Sequence, residues 1–306
     1  MSEAAGFVLV AGEINTDLVG RVTRAPEAGE TVSGSAFAIF GGGKGANQAV
    51  ACARSGAPTA MLGAVGDDDF GRQRLDDLLA AGIDVGAVDV TSAAASGVAL
   101  IVVEEASGQN RITYIPGANL TVGPDAAAAA VEAARPTVVL ATLALPEATR
   151  RALFAAAREG GARVVLNATP EPLGARAHLD QIDVLIANET EAGDLLGRTV
   201  GRDGAAEAAT ALAALGPAVV AITLGSAGAL ILAAGESTRI ASPAVEVVDT
   251  TGAGDAFCGA FAARLAAGED AVAAAQAGVV AGSLACTRAG AQPSMPGAAE
   301  IAALLG

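Results

Sequence analysis

Short apolar runs alternate along the chain with longer amphipathic or alanine-rich stretches. Residues 7–12 form a continuous apolar run closed by a glycine, the pattern of a strand buried on both faces. Similar runs predict strands at 60–65, 138–142, 163–167, 184–187 and 219–224. Between them, apolar residues recurring with helical period predict helices over 46–55, 70–81, 146–160 and 205–215. A Val-rich run at 244–248 predicts a strand that meets a Gly-Ala-Gly turn, with an apolar helix from 256 to about 267. Strands alternating with helices over this length imply a mainly parallel α/β sheet in three layers.

Two regions break that rhythm. Residues 14–18 read as extended, 26–30 as a turn and 31–40 as an exposed strand. The runs 97–103 and 111–115 flank a polar, glycine-containing stretch and read as a hairpin. Together, residues 14–40 and 96–118 predict a small sheet attached to one main domain spanning 1–306. The acidic triplet Asp67-Asp68-Asp69 lacks the loop spacing of a calcium hand and predicts a cap for the helix that follows it.

Composition narrows the function. Of 306 residues, 52% are hydrophobic and 17% charged, which excludes a disordered chain, and no run is long enough to span a membrane. No basic segment followed by an apolar core opens the sequence, so a soluble, cytoplasmic protein is expected. A formal charge of −15 argues against nucleic-acid binding, which needs a basic footprint, but leaves room for a small anionic ligand held by backbone amides. Cys52, Cys258 and Cys286 are isolated and lack metal or disulfide spacing, so buried thiols in a reducing compartment are expected. The single histidine, His178, has no evident partner for a triad or a metal and reads as structural or surface. Acid–base chemistry must then come from carboxylates.

The candidate chemistry gathers where predicted strands end. Asn15 and Asp17 share one face of an extended segment, which suits either recognition of a polyol or a solvated edge. Gly41-Gly42-Gly43-Lys44-Gly45 is not a Walker phosphate loop, because Gly45 stands where Ser or Thr is required. Its glycines bring backbone close to a ligand at the start of a helix, with Asn47 directed at it. Asn188 and Glu191, and the run Thr223 to Gly228, also follow strand ends, where ligands of open α/β sheets bind. The stretch Asp249-Thr250-Thr251-Gly252-Ala253-Gly254-Asp255 joins a glycine turn to a helix N-terminus, an array of N–H groups suited to phosphate. Asp255 at its mouth can act as a general base on an alcohol, or serve only as a helix cap.

These motifs resemble those of the ribokinase-type (PfkB) carbohydrate kinase family, in the family's order and almost end to end. The carriers are Gly12 to Asp17, Gly42 to Ala49, Asn188 to Glu191, Thr223 to Ser226, Asp249 to Asp255 and Gly290 to Ser294. The resemblance implies a Rossmann-like α/β/α sandwich with a small β-sheet lid that commonly mediates homodimerisation. It implies ATP-dependent phosphorylation of a sugar's primary hydroxyl, D-ribose first. Asp255 would be the base, and the amides of Gly252, Ala253 and Gly254 the anion hole. Asn15, Asp17, Gly43, Lys44 and Asn47 would hold the sugar, and Asn188, Thr223, Gly225, Ser226, Gly228 and Gly254 the nucleotide. Glu191 would place Mg²⁺ through water, and Asp249, Thr251, Ala285, Arg288, Gly290 and Ser294 would bind an activating K⁺. One position departs: Ala144 stands where the family carries a glutamate that binds a sugar hydroxyl. Another sugar, a deoxypentose or a nucleoside therefore stays open beside ribose, as does a noncatalytic sugar-binding regulator. A dinucleotide oxidoreductase does not, since no G-x-G-x-x-G follows the first strand.

Overall fold

The computed structural model describes residues 6–305. In chain order, β1 (Val8–Ala11) leads into β2 (Asn15–Val22) and β3 (Gly34–Gly42). A βαβ unit follows: α1 (Lys44–Arg54), β4 (Thr59–Gly66), α2 (Asp69–Ala80) and β5 (Asp84–Thr91). The hairpin is β6 (Gly97–Glu104) and β7 (Asn110–Ile115). Then come α3 (Pro124–Ala134), β8 (Val138–Ala141), α4 (Glu147–Glu159), β9 (Arg163–Asn167), β10 (Val184–Asn188), α5 (Glu189–Leu196), α6 (Ala205–Ala213) and β11 (Val219–Thr223). The chain closes with β12 (Ala229–Ala233), β13 (Glu236–Ile240), α7 (Ala253–Ala266), α8 (Ala271–Ala285) and α9 (Ala298–Leu305).

Among the described residues the strands form two sheets. The larger has nine strands in the order β13-β12-β11-β10-β9-β8-β1-β4-β5, with β5 through β11 parallel and β12 and β13 added antiparallel at one edge. Alternation along each strand builds the layers. Leu9 and Ala11 of β1, with Val139 and Ala141 of β8, pack under α3, α4, α5 and α6. Val8, Val10, Val138 and Leu140 face α1, α7, α8 and α9 on the other side. α7 is apolar nearly all round because it lies buried against both α1 and α8.

The second sheet has the order β3-β2-β6-β7 and stands on the carboxyl side of the first. It is made from the two regions that break the βα rhythm. Arg74 of α2 ties it down: its buried guanidinium donates to Thr16 Oγ1 (3.0 Å) and to the Phe40 carbonyl (3.1 Å).

Several expectations need correction. The Val-rich stretch at 244–248 is not a strand. It has no sheet partner, Val247 and Val248 are exposed, and the amides of Val248 and Asp249 both donate to the Cys286 carbonyl at the end of α8. β5, β12, β13, α3, α5, α8 and α9 carry no clear signal in the sequence, because short, alanine-rich or half-polar segments give weak periodicity. His178 is fully buried, edge-on to Phe154, so the surface alternative falls and the structural one stands. Cys52 and Cys258 are buried as expected, while Cys286 is only half-buried. The acidic triplet caps α2 through Asp68, which accepts from the Gly71 amide.

Candidate active site

The sheet order reverses at β1, whose neighbours β4 and β8 are reached in opposite directions along the chain. Ligands of such sheets lie outside the carboxyl ends of the strands near this reversal. Most of the sequence-derived candidates converge there, brought by α1, α7 and the second sheet.

Asp255 is at the third position of α7, not at its N-cap. The cap is Gly252, held at φ 78°, and no side chain caps the helix. A Cβ at 252 would approach the Ala291 Cα to 3.0 Å, so both the left-handed backbone and the close packing demand glycine. Gly254 faces open space, and the Ala253 amide donates to the Thr250 carbonyl (3.3 Å). The Asp255 carboxylate accepts from Asn47 Nδ2 (2.9 Å) and Gln48 Nε2 (3.0 Å) of α1. Burial pushes it up to about 6, against the opposing pull of those two amides and of the Lys44 charge, with Glu13 adding to the rise. Asn47 Oδ1 and Gln48 Oε1 are buried without partners. Gln48 also reaches Asn167 Oδ1 (3.0 Å) at the end of β9.

The glycines before α1 have separate reasons. Asp17 lies directly over Gly42, where a Cβ would stand 2.2 Å from Oδ1. Gly43, at φ 88°, lets Asn47 and the loop after β1 close on each other, since a Cβ would meet the Glu13 carbonyl at 2.6 Å. Burial raises the Asp17 carboxyl to about 6, against Arg74 and Lys44. Lys44 is thus a shared positive neighbour of Asp17, Glu191 and Asp255. Asn15 is buried and accepts from Asn119 Nδ2 (2.8 Å), whose Oδ1 takes the Ile14 amide.

Asn188 and Glu191 form a capping box on α5: Asn188 Oδ1 accepts the Glu191 amide (2.9 Å) and Glu191 Oε2 the Asn188 amide (2.8 Å). Burial lifts the Glu191 carboxyl, against the Asn188 amide and Lys44. Asn188 is paired in register with Thr223, so β10 and β11 bring these two candidates side by side. Gly225 and Ser226 form a short turn beyond β11. Gly228 serves packing: a Cβ there would stand 1.9 Å from the Ile240 carbonyl of β13.

The remaining candidates form a separate cluster behind the glycine turn. Asp249 Oδ1 accepts from the Thr251 amide (2.9 Å) and hydroxyl (2.7 Å), and Oδ2 from the Gly290 amide (2.9 Å). Burial alone would raise the Asp249 carboxyl, but these bonds together hold it low. Ser294 is fully buried, and its hydroxyl donates to the Ala291 carbonyl (2.7 Å). The Arg288 amide reaches the Ala285 carbonyl (3.3 Å), while its guanidinium pairs with Glu300.

Sequence reasoning missed Glu13, Gln48, Tyr114, Asn119, Thr142 and Asn167. Gln48 and Glu13 lie inside motifs already noted. Tyr114 and Asn119 carry no local signal, because only the folding of the second sheet over β1 brings them to Asn15. The Tyr114 hydroxyl is pushed up to about 12 by burial and by Glu13.

A carboxylate beside an open helix-N-terminal glycine turn, under a small second sheet on a parallel α/β core, defines the phosphoryl-transfer class of α/β enzymes. Residues 5–298 match the model of the pfkB family carbohydrate kinases, and the chain belongs to that family. It is 38% identical to the ribokinase of Bacillus subtilis over 97% of its own length and 99% of that protein's. It is 34% identical to the deoxyribokinase of Salmonella typhi, over 94% and 95% of the two chains. The structure of Arabidopsis thaliana ribokinase complexed with ribose and ATP superposes with a TM-score of 0.88 at 30% identity, covering 99% of both chains. The chain is therefore a sugar kinase, an ATP-dependent phosphotransferase.

Proposed function

We propose that this kinase transfers the γ-phosphoryl group of ATP to the primary hydroxyl of a neutral sugar, with D-ribose giving ribose 5-phosphate as the leading assignment. The observation that carries the reading is Asp255: a carboxylate buried at the first turn of α7, beside the glycine turn at 252–254 and fixed by Asn47 and Gln48. Asp255 takes the proton from the attacking hydroxyl. The amides of Gly252, Ala253 and Gly254 stabilise the charge on the phosphoryl group in transit, a task that needs alignment more than covalent chemistry. Asn15, Asp17, Gly43 and Asn47 hold the sugar, and Lys44 offsets the surrounding negative charge. Asp17, Asp255 and the unpaired Asn47 Oδ1 make the site rich in acceptors, which favours an uncharged polyol over a sugar acid. Thr223, Gly225 and Ser226 border the nucleotide.

The donor sets fit two cations. Glu191 is a partly buried carboxylate at the nucleotide end, suited to Mg²⁺ held mostly by water and phosphate oxygens, and that ion when bound would neutralise phosphate charge. Among the described residues no group of three or more acidic, His or Cys side chains forms a protein cage for a metal. Asp249, the buried Ser294 and the carbonyls of Thr251, Ala285, Arg288 and Gly290 offer the hard oxygen donors a monovalent K⁺ prefers. These loops support the glycine turn from behind.

Ala144 favours a second reading, a kinase of the same fold for a deoxypentose or another sugar, because an alanine there offers no hydrogen bond. The test is ADP release with Mg-ATP against ribose, 2-deoxyribose, fructose, other pentoses and nucleosides, each with and without K⁺. Turnover of ribose well above the others supports the leading assignment. Preference for another sugar establishes the second reading, and silence on the whole panel overturns both.

A further inference from the structure

The reversal of the sheet places an unassigned, buried carboxylate at the carboxyl end of β1. Glu13 follows β1 and Thr142 follows β8, the two adjacent strands between which the chain order switches. Glu13 Oε2 accepts the Thr142 hydroxyl (2.8 Å) and Oε1 accepts the Lys44 amide at the start of α1 (3.0 Å). The residue is 4% exposed, and among the described residues it takes part in no ion pair.

A buried carboxylate offers about four acceptor positions, and two neutral donors fill only half of them. Burying such a charge with no cation bonded to it is costly, and neither bond requires the charge. A neutral acceptor would serve the Lys44 amide and Thr142 equally well. Glu13 lies close enough to Asp255 of α7 and to Tyr114 of the second sheet for its carboxylate to act on both. Ala144 lies two residues beyond Thr142 and only half-buried at the same rim. Its methyl group supplies no hydrogen-bond acceptor of its own.

We infer that Glu13 is a sugar-binding, specificity-determining residue, accepting a hydrogen bond from a secondary hydroxyl of the sugar while the Thr142 hydroxyl and the Lys44 amide hold its carboxylate in place. The hydroxyl-binding carboxylate of this site comes from the end of β1 and not from the loop after β8. This deepens the sugar-kinase reading and rests on it.

The experiment measures sugar binding by calorimetry without nucleotide, and KM and kcat, for wild type, Glu13→Gln, Glu13→Ala and the double variant Glu13→Ala/Ala144→Glu. The probes are D-ribose and its 2-deoxy and 3-deoxy forms, or the matching deoxy series of whichever sugar the wild type turns over best. Glu13→Ala is expected to weaken binding and raise the sugar KM by about tenfold or more, with kcat and the KM for ATP within about threefold. The preference of wild type for the parent sugar over one deoxy form should collapse in Glu13→Ala. Glu13→Gln, which keeps an acceptor of the same shape, should fall between, and the double variant should recover part of the lost affinity. An unchanged sugar KM with unchanged deoxy discrimination in Glu13→Ala overturns the inference while leaving the kinase reading intact. So does equal weakening for every sugar and for ATP, the mark of a merely structural role. If Glu13→Ala does not fold, Glu13→Gln decides by the same sugar KM and deoxy discrimination. A wild type that binds and turns over no sugar removes the kinase reading and this inference together.

Discussion

Asp255 concentrates the chemistry of the molecule in one side chain. Burial pushes its carboxyl up to about 6, outweighing the two amide donors and Lys44. A base must be ionised to accept a proton, so kcat/KM should rise with pH through about 6 and level off above it, as a pH–rate profile will read. Asp255→Asn should cut turnover by roughly 10² or more while nucleotide affinity, measured by calorimetry, stays near wild type. The same residue affects stability with a definite sign. Its folded pKa lies above the unfolded value of 3.8, so between about 4 and 6 the native state holds a proton that the unfolded chain releases. Its contribution is therefore fully present at low pH and lost as pH rises, by about 3 kcal/mol. The unpaired Asn47 Oδ1 and Gln48 Oε1 can accept from an asparagine amide. Asp255→Asn should thus melt higher than wild type at pH 7.5 and much closer to it at pH 4, in thermal scans at both values. Asp255 was legible from its place after a glycine turn. Its partner Gln48 and the buried Glu13 were not, because nothing local says which neighbours a folded chain brings within 3 Å.

At the scale of elements, the N-terminus of α7 shows how a turn becomes a site. Gly252→Ala forces a left-handed backbone on an alanine and a Cβ onto Ala291, at a cost of about 1–3 kcal/mol. Urea unfolding should read that loss, and turnover should fall more than sugar affinity, since the turn and not the sugar pocket is displaced. The buried strands were legible because β1, β8, β9 and β10 are apolar on both faces and short. α3 and α8 were harder: both are rich in alanine and poor in polar residues, which leaves no polar face to mark the period. The Val-rich run at 244–248 misled for a related reason. β-propensity describes fit to a sheet surface, and the sheet offers this segment no edge.

For the whole molecule, the second sheet leaves apolar side chains uncovered. Phe37, Ile39, Leu100 and Ile115 are exposed, and strand pairing puts Ile39 and Leu100 beside Leu18 on one face. We propose this face as the homodimer interface. Phe37→Glu/Ile39→Glu should shift the protein to monomer in sedimentation velocity, and a wild type already monomeric at micromolar concentration would dispose of the idea. Asp249 tests the monovalent site: Asp249→Ala should abolish the difference between activity with K⁺ and activity with a large organic cation in its place, because the loop at Gly290 loses its tie to Thr251.

Local sequence pattern is enough for the alternation that makes a parallel three-layer core, for the two regions that leave it to form a second sheet, and for the motifs at the strand ends. These are local facts, written in the period of apolar residues and in glycines with few substitutes. The tertiary structure alone decided that Asp255 lies within the helix and answers to Asn47 and Gln48, and that the Val-rich run hangs on α8. It also decided that Glu13 meets Thr142 across the reversal of the sheet. Each joins residues more than a hundred positions apart or depends on which sheet edges remain free, and periodicity along a chain carries no information about either.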